Sequence, residues 1–171
     1  VKFLGRSGLQ GKKYDQFTAI DDCTRFRVLR IYDHNTVKSA VVFINQVKHA
    51  LPFAIKQVQT DNGSECSDTF SWHLEDLGIH HRKTKLRSPE ENGKVERSHR
   101  TDEEALYGVN RFMSIHHFTK LLAQWEKEYN GHRPHMALGG KTPRAFLTEK
   151  LKTHYSKQML TVPVKPVQDV G

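Results

Sequence analysis

The hydrophobic period of this chain changes at Asn35, and that change limits what the chain can fold into. Before it, "YDQFTAID" sets Tyr14, Gln16/Phe17 and Ala19/Ile20 in strand-like alternation, and "FRVLRIYD" continues it with Phe26, Val28, Leu29 and Ile31. "DCTR" separates the two runs. "VKFL" is a short apolar start, and the Gly- and base-rich "GRSGLQGKK" after it reads as a hairpin loop. Three successive antiparallel strands are expected. After Asn35, "NTVKSAVVFINQVKHAL" recurs at helical spacing through Val37, Ala40, Val41, Ile44, Val47 and Leu51. Asn35 or Thr36 would cap this helix and Pro52 would end it.

Strand and helix then alternate. "AIKQVQ" reads as a strand running into Thr60 and Asp61. "SECSDTFSWHLEDLG" reads as a helix with Phe70, Leu74 and Leu77 on one face and Gly78 at its stop. "IHHRKT" is a short strand and "KLRSPEENGK" a loop. "VERSHRTDEEALYGVN" and "HHFTKLLAQWEKEYN" follow as helices, the second burying Phe118, Leu121, Leu122, Trp125 and Tyr129. "PRAFLTEKL" closes the series as a short helix with Pro143 in its first turn. No period holds after about residue 152. The expected fold is α/β: a mixed five-stranded sheet, three antiparallel strands first, flanked by helices. Residues 1–150 would form one domain and 151–171 a C-terminal tail or linker. No apolar run reaches the roughly 18 residues that a membrane span needs.

The chain carries 27 Lys plus Arg against 19 Asp plus Glu, a net charge of +8, which points to a polyanionic partner. Two cysteines, Cys23 and Cys66, make no disulfide framework, so a reducing cytoplasm is expected. Against this basic background two acids stand out. Asp61 lies where a strand ends, the place where ligands collect in open α/β sheets. Glu96 lies on a later helix among Lys83, Lys85, Arg87, Lys94, Arg97, His99 and Arg100. Paired carboxylates suit Mg²⁺ or Mn²⁺, which are hard ions with oxygen ligands, and the surrounding bases suit phosphates. The same residues also read as a solvated helix with i,i+4 pairs such as Glu96–Arg100. Spacing alone leaves both readings open.

The segments "TDNGSE", "SPEENGKVERSHRT" and "YNGHRPHMALGGKTP", with the opening "VKFLG…YDQFTAIDDCTRF", resemble the catalytic core of the retroviral-integrase superfamily. They are most similar to its bacterial insertion-sequence transposases, over roughly residues 1–150 and in the right order. The resemblance implies an RNase H-like fold, a D,D,E acid triad, two divalent metal ions and DNA strand transfer between element ends and target. It implies a homodimer, because two ends are joined, and a cytoplasmic, nucleoid-associated site of action. Asp61 matches the second acid and Glu96 the third. The first acid of the family stands one position before "VKFL", ahead of Val1, and is left unassigned. Asp21 and Asp22 match a turn position that is not usually a ligand. A chain that truly began at Val1 would show little or no catalysis.

Asn62, Arg87, Lys94, Arg97 and Arg100 are the candidate DNA contacts. A nuclease of the same fold that does not join ends, and a catalytically dead core that only binds DNA or self-associates, are the competing functions. His80-His81 and His116-His117 lack Cys partners at zinc spacing. The loop His132-Arg133-Pro134-His135 reads as structural, Trp72 and Trp125 as core, and Cys66 as a buried inert thiol.

Overall fold

The structure, a computed structural model, describes residues 2–4, 12–60, 67–84, 97–110 and 113–160, with backbone only for 2–4 and 154–160. Strands β1 (Lys2–Leu4), β2 (Tyr14–Ile20) and β3 (Arg27–Tyr32) form an antiparallel sheet in that order. Its register sets Phe17 opposite Arg30 and Thr18 opposite Leu29. The β2–β3 turn is built by Asp21, whose Oδ2 accepts hydrogen bonds from the backbone N–H and the hydroxyl of Thr24, both at 2.7 Å. Arg25 completes the turn in the left-handed region at φ 61°.

Alternation gives this sheet two different faces. Phe17 and Val28 point to one side and join Ala40, Phe43, Ile44, Val47, Phe70, Leu74 and Ile79 in an apolar cluster. Helix α1 (Val37–Ala50) lies over that side, capped by Thr36, whose side chain accepts from the Ser39 N–H. Helix α2 (Asp68–Asp76) packs beside it and ends at Gly78, where φ is +68°. Tyr14, Gln16, Arg27 and Leu29 occupy the other side of the sheet. There Tyr14 and Leu29 meet Leu106, Phe118 and Leu122 from α3 and α4. Helix α3 comprises helical residues 97–102 and a π-helical turn over Glu103–Tyr107. Helix α4 spans Ile115–Gly131, capped by Ser114, and α5 spans Pro143–Leu160.

β4 (Gln57–Thr60) and β5 (His80–Lys83) pair in parallel as a separate two-stranded sheet. The single five-stranded sheet expected from the sequence is therefore not found among the described residues. All three residues of β1 pair with β2, β4 and β5 pair only with each other, and no ladder joins the two sheets. α5 also runs to Leu160, well past the point where the sequence loses its period. Trp72 is a second correction. It is 64% exposed, because it falls about 200° around α2 from Phe70, across the helix from the stripe buried by Phe70 and Leu74. Among the described residues no helix is long and apolar enough to cross a membrane.

Candidate active site

Two anchored segments lead up to the two candidate acids. The first is the end of β4. Parallel pairing brings the Thr84 N–H to the Thr60 carbonyl at 2.9 Å, so the strand is held to its last residue before Asp61. The Thr60 hydroxyl lies 2.9 Å from His81 Nε2, and His81 Nδ1 lies 2.8 Å from the Ser71 hydroxyl. This hydroxyl–imidazole–hydroxyl chain ties β4, β5 and α2 together. Phe70 packs edge-on against the imidazole, with centroids 5.5 Å apart. Burial, with Lys83 and His80 nearby, holds the His81 pKa below the usual histidine range. The ring is therefore neutral near pH 7, with one nitrogen donating and the other accepting.

The second segment is α3, whose described residues start at Arg97, next in sequence to Glu96. Ser98, Asp102 and Leu106 recur every four residues and are 3%, 0% and 3% exposed, so they form its inner face. Asp102 accepts hydrogen bonds from three elements. Gln16 Nε2 of β2 reaches Oδ2 at 2.9 Å; Arg27 of β3 and Trp125 Nε1 of α4 both reach Oδ1 at 2.7 Å. The same Arg27 nitrogen donates to the Ser98 hydroxyl at 2.6 Å. The Arg27 guanidinium lies 3.7 Å from the centroid of the Tyr129 ring, a cation–π contact. Its backbone N–H and C=O are both taken by the Asn130 side chain, at 2.9 and 2.7 Å. Burial lowers the Arg27 pKa while Asp102 opposes the shift, and the group stays a buried cation paired with a buried anion.

The π-helical turn has a use here. In α geometry, residues five apart sit about 140° apart around the axis. The wider π turn brings Tyr107 back toward the Asp102 face, and its hydroxyl donates to the Gln16 carbonyl. Gln16 is thereby held at both ends of its amide.

Asp61, Asn62, Arg87, Lys94 and Glu96 lie outside the described residues. Of the sequence candidates, Arg97 and Arg100 are described; both are exposed on α3, as is Glu103 one turn on from Arg100. Among the described residues no group of three or more His, Cys, Asp or Glu could hold a metal ion. Asp102 is fully buried and accepts from three protein donors, which removes it as a ligand. A pair of carboxylates at 61 and 96 supplies oxygen donors alone, and that donor chemistry fits Mg²⁺ or Mn²⁺. The loop after α4 is structural, as its sequence suggests. The His135 backbone pairs with Lys141 and Gly140, and its ring packs on Tyr129 with centroids 4.7 Å apart.

Residues 77–143, the span that holds Glu96 and α3, match the family described as Integrase core domain. Together with the relatives below, that match supports a transposase/integrase core of the retroviral-integrase superfamily. Over 153 residues it is 29% identical to "Putative integrase ORF3" of Spiroplasma virus SpV1-C74, covering 80% of this chain and 42% of that one. Over 130 residues it is 28% identical to the 39.2 kDa uncharacterized protein of insertion element IS476 from Xanthomonas euvesicatoria, covering 75% and 38%. The chain thus spans less than half the length of those curated relatives. Its fold is that of the catalytic core domain of BIV integrase, with a TM-score of 0.65 at 19% identity over 87% of this chain and 93% of that one. It also matches a chain of the simian T-cell lymphotropic virus intasome in complex with PP2A regulatory subunit B56 gamma, with a TM-score of 0.72 at 16% identity over 96% and 54%. These structural likenesses support the RNase H-like fold expected from the sequence.

The sequence reading missed the polar residues beneath the core: Gln16, Arg27, Ser98, Asp102 and His81. For Ser98 and Asp102 a signal existed, since four-residue spacing with Leu106 puts them on one helix face. Arg27 carried none. An arginine between Phe26 and Val28 reads as solvent-facing until its partner is known to lie 75 positions away.

Proposed function

We propose that this core carries out metal-dependent DNA strand transfer, with Asp61 and Glu96 as two of three metal-binding acids. Its substrates would be element ends and target DNA, and its working form a homodimer acting in the cytoplasm at the nucleoid. Residues 1–150 would be the catalytic unit and 151–171 a tail or linker, with the first acid supplied ahead of Val1. The observation that carries this reading is the division of α3. Ser98, Asp102 and Leu106 are buried, while Arg97 and Arg100 are left exposed on the helix whose described residues follow Glu96 in sequence. The match over 77–143 supports the same assignment.

In this reading, divalent ions held at Asp61 and Glu96 would neutralise charge on the attacked phosphodiester and favour in-line displacement by water or a 3′-hydroxyl. The chain's own residues do the positioning. Arg97 and Arg100, with Arg87 and Lys94, would hold backbone phosphates, and Asn62 would shape the turn beside Asp61 or contact DNA. The buried face of α3 keeps the helix from rotating under that load.

The test is Mn²⁺-dependent nicking and joining of plasmid DNA by the full-length protein, with Glu96→Gln beside it. Nicked and joined products that vanish in the variant are expected. Nicking without joining would assign a nuclease of the same fold. Equal activity in both proteins, or salt-sensitive DNA binding with no products, would overturn the proposal.

A further inference from the structure

We propose that the buried Arg27–Asp102 pair is a positioning clamp for the acid at the head of α3, an inference that rests on the reading of Glu96 given above. Ser98 and Asp102 lie two and six residues beyond Glu96. Both are gripped by one nitrogen of one arginine, at 2.6 and 2.7 Å. Asp102 is also held by Gln16 and Trp125, so β2, β3 and α4 all converge on a single carboxylate that is 0% exposed.

Stability alone does not account for this arrangement. Burying an ion pair removes two charges from water, and well-packed apolar residues in the same place are often as stabilising or more so. The neighbouring Leu106, Phe118 and Leu122 show that this face accommodates such packing. Direction is what apolar packing does not supply. A one-residue slip of α3 would rotate it by about 100° and carry Asp102 away from all three donors. An apolar face would re-pack after the same slip. Arg27 cannot follow the helix either, because its guanidinium lies on the Tyr129 ring and Asn130 holds both of its backbone polar groups. Gln16 cannot turn away, because Tyr107 holds its carbonyl while Asp102 and Thr18 take its amide hydrogens. The clamp therefore fixes both the register and the rotation of the helix that Glu96 precedes. It touches neither substrate nor metal.

The experiment uses the full-length protein with Asp102→Asn, which keeps the shape and one acceptor oxygen but removes the charge. Mn²⁺ affinity is measured by titration calorimetry, and backbone hydrogen exchange is measured without metal. The clamp predicts roughly tenfold weaker Mn²⁺ binding, the scale on which groups behind metal ligands act. It also predicts faster exchange at the start of α3, with α1 unchanged. Unchanged Mn²⁺ affinity in a folded Asp102→Asn protein would overturn the clamp. If that variant does not fold, Trp125→Phe removes one of the three donors and keeps an aromatic ring. It should show a smaller weakening in the same direction, and wild-type affinity there would also overturn the clamp. Glu96→Gln separates the two layers. If it nicks DNA like wild type, the reading of Glu96 falls and the clamp falls with it. If it is inactive while Asp102→Asn binds Mn²⁺ normally, only the clamp is lost.

Discussion

The two faces of the β2–β3 sheet are built by different physics. Under α1 and α2 the contacts are almost wholly apolar, led by Phe17, Val28, Phe43, Phe70 and Leu74. Such a face gains free energy in proportion to the area removed from water and has little directional preference. Under α3 and α4 the apolar contacts surround a polar centre of Gln16, Arg27, Asp102 and Asn130, each no more than 1% exposed. That face has direction: the hydrogen bonds that meet at Asp102 fit one register. The helix that leads from Glu96 lies on the directional face, and the helices on the other face carry no candidate acid among their described residues. The lesson is that one side of this sheet holds the fold together while the other sets where a helix begins.

Substitutions at the two centres sharpen the contrast most. Phe17→Ala and Asp102→Ala should each cost about 3–5 kcal/mol in urea unfolding, the first by leaving a cavity and the second by stranding a buried cation. Their repair differs. Replacing both Arg27 and Asp102 with apolar residues of similar volume should recover most of the stability, while a second truncation beside Phe17, such as Leu74→Ala, should only deepen the loss. A double replacement as unstable as Asp102→Ala alone would break the comparison. Helix caps give smaller effects that are equal on both faces. Thr36→Ala at α1 and Ser114→Ala at α4 should each cost about 1 kcal/mol in thermal unfolding, because each removes a side-chain acceptor for a helix N–H. Gly78→Ala should cost a similar 1 kcal/mol or so through its left-handed backbone alone, since no atom lies within 4 Å of the added methyl.

The smallest effect is on pH dependence. Burial lowers the pKa of both His81 and His135 from the ordinary histidine value of 6.5. A group with a depressed folded pKa binds fewer protons when native than when unfolded. Its contribution is therefore complete above pH 6.5 and is lost as pH falls from there through the folded pKa. Stability measured from pH 8 down to 5 should decline below about 6.5, and His81→Gln should flatten part of that decline. A profile unchanged by His81→Gln would remove the Thr60–His81–Ser71 chain from the account.

The apolar face was legible in the sequence because period and burial coincide there. The α1 repeat, the Gly78 stop and the Phe118–Leu122–Tyr129 stripe were readable without coordinates, and the α1 cap was narrowed to Asn35 or Thr36, of which Thr36 is used. Trp72 was misplaced through hydrophobicity alone, although the period that buries Phe70 and Leu74 puts it on the outer face. The polar face was not legible, because the pairs that Arg27 makes with Ser98, Asp102 and Asn130 join residues 71 to 103 positions apart and no local pattern marks an arginine or glutamine as buried. The final stretch of α5 was also hidden, since "THYSKQML" shows no apolar stripe. The candidate acids rest on resemblance and residue chemistry, not on periodicity, and both lie outside the described residues.

The central claim is that Asp61 and Glu96 are both metal-binding acids. Anomalous scattering from crystals of the full-length protein soaked in Mn²⁺ tests it most directly. The account predicts Mn²⁺ peaks about 2 Å from carboxylate oxygens of Asp61 and of Glu96, as expected for hard ions with oxygen ligands. A peak bound by other acids, or a Mn²⁺ ion that touches neither Asp61 nor Glu96, would contradict it.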